Sequence, residues 1–151
     1  MTRHTPLPTV FGRLSTILTG HEQLSKTLEQ VTELCSAIEV GRDPLSVELD
    51  PRRVLGTLSS ELFRHFEAEE SAAHFGTVAE ERPDLLAEIV ELKAEHRAML
   101  ETMKDLAWIA EDPARWSELP SPALALVERL RAHERAEAEL VRGFIRGQRR
   151  S

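Results

Sequence analysis

A short motif, Leu-x3-Leu-x2-His-x3-Glu, occurs twice in this chain of 151 residues. The first copy ends in His65 and Glu69, and the second ends in His133 and Glu137. On a helix, residues three or four apart share one face, so each copy aligns a histidine and a carboxylate with two leucines. A leucine stripe normally faces a core, where a polar pair is costly without a partner. The two copies therefore predict a shared inward partner, most simply a metal ion.

Four long helices are predicted from apolar residues that recur at alternating steps of three and four. An Asp-Pro or Ser-Pro pair precedes two of them, which is typical of a helix N-terminus with proline in the first turn. An extended lead-in over residues 1–8 precedes the first predicted helix, which runs from Val10 to Ile38 with Thr9 as N-cap and is followed by a loop to about Leu49. The second helix runs from Asp50-Pro51 to near Gly76, and the third is opened by Arg82-Pro83-Asp84 and runs to Ala110. The fourth runs from Ser121-Pro122 to Phe144, with a frayed tail after Gly147.

Helices of comparable length with short connectors favour an all-α, up-down-up-down four-helix bundle. No segment has the alternation typical of a strand. The length suits one core, so we expect a single domain over residues 1–151, with the bundle at about 9–147.

Composition excludes several function classes. The formal net charge of −7 argues against a nucleic-acid-binding protein. Cys35 is the single cysteine, which excludes a disulfide framework and a thiolate metal cluster within the chain. No apolar run approaches the ~20 residues that span a bilayer, and the N-terminus lacks a signal-peptide pattern. We therefore expect a cytoplasmic protein without a membrane partner.

Each predicted helix has one histidine in its apolar stripe. Two of these histidines, His21 and His96, lie on the first and third helices, where no carboxylate follows at the motif spacing. The chain then consists of two helix pairs, each of which contributes two histidines and one glutamate to a single level of the bundle. The candidate metal ligands are His21, His65, Glu69, His96, His133 and Glu137.

This ligand set favours a transition metal. Imidazoles with a few carboxylates suit Fe, Zn, Cu or Ni better than Mg or Ca. Six ligands exceed the four of a closed structural zinc site, so two ions can be held if Glu69 and Glu137 bridge them. Non-haem iron with an open position is the natural occupant, and O2, peroxide or nitric oxide can bind at such a position.

The pattern resembles the hemerythrin-like, or HHE cation-binding, family from about Val10 to Phe144. The resemblance implies a four-helix bundle with a carboxylate-bridged non-haem di-iron site. It also implies reversible O2 binding, sensing of O2, peroxide or nitric oxide, and iron storage or detoxification. The residues that carry it are His21, His65-Phe66-Glu67-Ala68-Glu69-Glu70, Glu95-His96-Arg97 and His133-x3-Glu137.

Two positions depart from the family pattern. O2-carrying hemerythrins have a second histidine one turn after the third-helix histidine, and this chain has Leu100 there. The carriers also use an aspartate one residue after the position of Glu137, where this chain has Ala138. One ligand fewer leaves a more open iron, which favours a sensor, a redox-active site or weaker metal retention over a pure O2 carrier.

Two other functions remain open from the sequence. One is an iron-dependent oxidoreductase of the peroxide-disproportionating type, which ranks lower because no additional acid or base stands in the predicted core. The other is a metal-free four-helix interaction module. A ferritin-type site is disfavoured because the Glu-x-x-His unit of those bundles occurs nowhere in the sequence. Glu70 and Glu95 lie beside ligand positions but point away from the apolar stripe, so they are at best outer contacts.

Overall fold

The structure, a computed structural model, describes the backbone of residues 6–71 and 75–150 and the side chains of residues 22–71 and 75–147. Within these ranges the chain is helical and contains no strand, which confirms the predicted all-α class. Four helices are long and one is short. They are α1 (Pro6–Glu39), α2 (Pro51–Glu70), α3 (Thr77–Glu81), α4 (Leu86–Ala110) and α5 (Pro120–Arg150).

The four long helices form the predicted bundle. Helix α1 packs against α2 and α5, and α4 packs against the same two helices. Short connectors join successive helices, so neighbours run in opposite directions, as in other up-and-down bundles. Among the described residues, no helix combines the length and apolarity needed to cross a membrane.

Helix α2 begins as predicted. The Asp50 side chain accepts a hydrogen bond of 3.0 Å from the backbone N–H of Arg52, and Pro51 occupies the first turn. The cap satisfies an N–H group that the first turn of a helix leaves without an intrahelical partner, and the proline needs no such partner. This local signal fixes where α2 starts and hence the register of the side chains that follow.

We expect Asp50→Ala to lower the free energy of unfolding by about 1 kcal/mol, because it removes the N-cap acceptor of α2. Urea denaturation followed by circular dichroism measures the change. Asp105→Ala, an exposed substitution inside α4, is the control. A loss for Asp50→Ala no greater than that of the control would contradict the role of the cap.

Two predicted boundaries at the start and middle of the chain are wrong. Helix α1 begins at Pro6, not at Val10, so part of the expected extended lead-in is helical, and residues 1–5 lie outside the described part. Helix α2 ends at Glu70 instead of continuing towards Gly76. Ser71 ends it by taking an extended backbone conformation, with ψ of 156°, while its hydroxyl donates to the Ala68 carbonyl at 2.8 Å.

The last helix also differs from its prediction. Helix α5 begins at Pro120, before the expected Ser121-Pro122 start, and the backbone N–H of Ala123 bonds to the Leu119 carbonyl at 3.0 Å. At its other end α5 continues to Arg150, so the tail after Gly147 is helical and not frayed. The helices thus extend beyond the predicted bundle limits of 9–147 at both ends.

A polar layer divides the interior into two apolar clusters. On α4 the boundary lies between Leu92 and Met99, and on α5 it lies between Leu130 and Leu140. The larger cluster fills the end of the bundle near the loop after α1. The smaller cluster consists of Phe75, Val78, Ile89, Leu92, Leu140 and Phe144.

Candidate metal centre

Four buried polar side chains meet in the layer between the two clusters. Glu69 comes from α2, His96 from α4, and His133 and Glu137 from α5. None is more than 3% exposed. Each residue offers one ligand atom, and these four atoms lie within 4.8 Å of one another. The three helices therefore bring two imidazoles and two carboxylates to one point.

The spacing of these atoms fits a single first-row transition metal. Ligands bound at about 2.0–2.2 Å to one tetrahedral or octahedral ion lie roughly 2.9–3.5 Å from each other. The Nε2 atoms of His96 and His133 are 2.9 Å apart, and His96 Nε2 lies 3.0 Å from Glu69 Oε1. Glu137 Oε2 lies 3.3 Å from His133 Nε2 and 3.6 Å from His96 Nε2. The donor set and its distances both suit a metal ion.

His65 lies on the other side of the same carboxylates. Its Nε2 atom is 2.7 Å from Glu69 Oε2 and 3.9 Å from Glu137 Oε1. Glu69 therefore turns one oxygen towards His96 and the other towards His65. Glu137 does the same with His96 and His133 on one side and His65 on the other. Both carboxylates therefore lie between the His96–His133 pair and His65.

The two inner histidines have defined tautomers. His96 Nδ1 lies 2.7 Å from Glu70 Oε2, and His133 Nδ1 lies 2.6 Å from Glu95 Oε1. Because an ionised carboxylate only accepts hydrogen bonds, each Nδ1 atom carries the proton that it donates. In the neutral ring, Nε2 is then the bare nitrogen, and in both residues it faces the centre. A bare imidazole nitrogen is the form that binds a metal.

A cation must balance this cluster of acceptors. Without a metal, protons on the histidines supply the balancing positive charge, and the raised pKa values of these histidines indicate this. Burial acts to lower the pKa of His65 and His96, but the neighbouring carboxylates of Glu137 and Glu69 outweigh it and raise both to about 9. The pKa of His133 is also raised, because Glu137 outweighs the effect of burial. The centre thus attracts positive charge, whether as protons or as a metal ion.

Comparison with protein families agrees with this geometry. A family model described as the hemerythrin HHE cation binding domain matches residues 13–145. The chain belongs to this family. Comparisons with curated proteins and with solved structures give no match. The hemerythrin HHE domain is a cation-binding domain by description, and the buried His/Glu cluster of this member can hold a metal.

Five of the six candidate ligands have side chains in the described part of the structure. The structure brings together five of the six candidate ligands, namely His65, Glu69, His96, His133 and Glu137. His21 lies on α1, but its side chain is outside the described part, so its place at the centre stays a prediction.

Three contacts of this HHE domain were missed or underrated. Glu70 and Glu95 bond directly to ligand candidates, although both point away from the apolar stripes of their own helices. Phe66 stacks on His96 with ring centroids 3.9 Å apart and an interplanar angle of 9°, and it meets His133 edge-on at 5.8 Å. The sequence did contain one indication of these contacts, because each of the three residues is next to a candidate ligand.

The two departures from the O2-carrier pattern are apolar in the structure. Leu100 is half-buried and packs against the larger apolar cluster, so the turn after His96 adds no ligand. Ala138 is half-buried on α5 and has no side-chain group that can bind a metal. Neither position therefore adds a side chain that could bind a metal at this centre.

Proposed function

We propose that this HHE domain holds two non-haem iron ions bridged by Glu69 and Glu137, and that it binds or senses O2, nitric oxide or peroxide. The observation that carries the proposal is the placement of both carboxylates between the His96–His133 pair and His65. One oxygen of each faces His96, and the other faces His65. A carboxylate that contacts two ligand groups in this way has the geometry to bridge two cations.

The proposed ligands divide into two sets around the bridges. His96 and His133 serve one ion, and their Nε2 atoms at 2.9 Å already lie as close as neighbouring ligands of one metal. His65 serves the second ion, with His21 of α1 as the further ligand that the sequence predicts. Imidazole with carboxylate suits iron, among other transition metals. Bound iron would supply an open coordination position for a small diatomic ligand or peroxide.

The surrounding side chains support binding of a small ligand more than a reaction that needs proton transfer. Leu100 adds no ligand on α4, which leaves coordination capacity free. Phe66 is buried, stacks on the face of His96 and meets His133 edge-on.

We expect anaerobic loading with Fe2+ to give about two iron ions per chain, as in other carboxylate-bridged pairs. Elemental analysis gives the stoichiometry, and absorption spectra before and after O2, nitric oxide or peroxide test the small ligand. His65→Leu/His133→Leu should lose the iron and keep its helical circular dichroism, because leucine suits the buried sites. Met99→Leu, a core substitution on α4 without a ligand, is the control. Less than one iron per chain in the wild-type protein would contradict the proposal.

The same double variant separates the metal-free interaction module from the metal protein. In both cases its stability without metal should fall near neutral pH, because the buried carboxylates of Glu69 and Glu137 lose histidine partners. If the protein binds metal, Fe2+ should raise the melting temperature of the wild type but not that of the double variant. If it is a metal-free module, Fe2+ should raise neither. Repeated turnover of peroxide by the iron-loaded wild-type protein would instead favour the oxidoreductase, whereas a stoichiometric adduct would favour binding.

A further inference from the structure

We propose that Glu70 and Glu95 are positioning residues that set the tautomer and ring orientation of His96 and His133. Each holds the Nδ1–H of one inner histidine and thereby directs its Nε2 atom at the metal. The consequence for metal affinity rests on the proposed function. The control of the tautomer does not rest on the proposed function, because the hydrogen bonds from the two histidines to Glu70 and Glu95 need no metal.

The two contacts are short and of one kind. Glu70 accepts from His96 at 2.7 Å, and Glu95 accepts from His133 at 2.6 Å. Both are at the short end for an N–H donor and a carboxylate, whose charge-assisted hydrogen bonds are about 2.7–2.9 Å long. A neutral imidazole has one N–H and one bare nitrogen, so a carboxylate at Nδ1 forces the bare nitrogen to Nε2. Without it, either nitrogen can carry the proton, and the ring can turn its N–H towards Glu69 or Glu137.

The two contacts also link α2 to α4 and α4 to α5. Glu70 follows the ligand Glu69 on α2 and reaches His96 on α4. Glu95 precedes His96 on α4 and reaches His133 on α5. Adjacent helical residues point about 100° apart, so one of each pair faces the centre while the other faces the next helix. The turn that supplies a ligand thus also orients the ligand of its neighbour.

The two positioning residues differ in their access to water. The Glu70 side chain is 32% exposed, whereas that of Glu95 is 55% exposed. Glu95 lines a cleft of about 570 Å³ between α4 and α5, together with Glu91, Leu92, Ala136 and Leu140. Water in this cleft can replace a missing acceptor at His133 more easily than at His96. We therefore expect loss of Glu70 to have the larger effect.

The test uses Zn2+ as a diamagnetic probe. Competition with a chelator gives the metal affinity, and 15N NMR of the imidazole rings gives the tautomers. Glu70→Ala and Glu95→Ala should each weaken Zn2+ binding by roughly 10- to 100-fold, as expected for loss of an outer carboxylate. Each should change the ring signals of its own histidine only. Glu70→Gln and Glu95→Gln keep an acceptor oxygen and should restore the tautomer and part of the affinity.

The control is Glu91→Ala, which removes an exposed carboxylate from the same cleft. It should leave both the affinity and the ring signals unchanged. If both alanine variants bind Zn2+ within twofold of the wild type, or keep the wild-type ring signals, the positioning role is overturned. Failure of the wild type to bind Zn2+ would count against the proposed function instead. In that event, ring NMR of the metal-free protein, followed over a pH series until each ring has lost one proton, still decides whether Glu70 and Glu95 set the tautomers.

Discussion

Glu137→Gln is expected to reduce the iron content of the anaerobically loaded protein from the proposed two ions per chain to one or fewer, because it removes a carboxylate that we propose as a bridging ligand. Glu137 lies between His133 and His65, with Oε2 at 3.3 Å from His133 Nε2 and Oε1 at 3.9 Å from His65 Nε2. Glutamine has the same shape but carries no charge, and its amide nitrogen has no lone pair available to a metal. The variant can therefore contact one ion at most through its remaining oxygen.

The matched variants make this result specific. Glu69→Gln should behave in the same way, because Glu69 lies at 3.0 Å from His96 Nε2 and 2.7 Å from His65 Nε2. Glu128→Gln changes an exposed carboxylate of α5 and should keep the full iron content. Elemental analysis after desalting measures all three. Retention of about two ions by both Glu69→Gln and Glu137→Gln would contradict a bridged pair.

The polar layer was predictable because helical periodicity alone identifies inward positions. His96 falls between Leu92 and Met99 in the stripe of α4, and the structure buries all three. Likewise, the motif ending in Glu137 requires His133 to share its face. A histidine on every stripe at a similar depth then implies a common centre, whatever the angles between the helices.

The contacts around the centre were not predictable in the same way. Whether Glu70 reaches His96 depends on how far α2 is rotated about its own axis relative to α4. That rotation is set by packing between helices, including the stack of Phe66 on His96, and a single sequence shows only which residues share a face. Likewise, α2 ends at Glu70 because Ser71 takes an extended conformation. The sequence has neither proline nor glycine at that position to indicate the end of a helix.

The metal-free protein is expected to lose stability as the pH rises from about 6.5 to about 9. In the folded state the pKa of both His65 and His96 is about 9, against an ordinary value of 6.5. A raised pKa stabilises the folded state fully below pH 6.5, where both states are protonated, and this contribution disappears as the pH passes the folded pKa. Each histidine contributes at most roughly 3 kcal/mol, and the two overlap because both contact Glu69 and Glu137.

Urea denaturation of the metal-free protein across this pH range measures the loss, and His65→Leu/His96→Leu should abolish most of it. Burial raises the pKa of the Cys35 thiol to about 11, so this group lowers stability only where the unfolded thiol ionises, at the upper end of the range, and the double variant retains that part. The stabilisation that a bound metal adds should instead increase with pH. The metal competes with protons for the Nε2 atoms, so it is held more tightly as the protons are lost. The stabilisation by Zn2+ should therefore grow with pH by about 1.4 kcal/mol per tenfold gain in affinity. A metal-free protein that gains stability over this range would show that the carboxylates do not hold protons on the histidines.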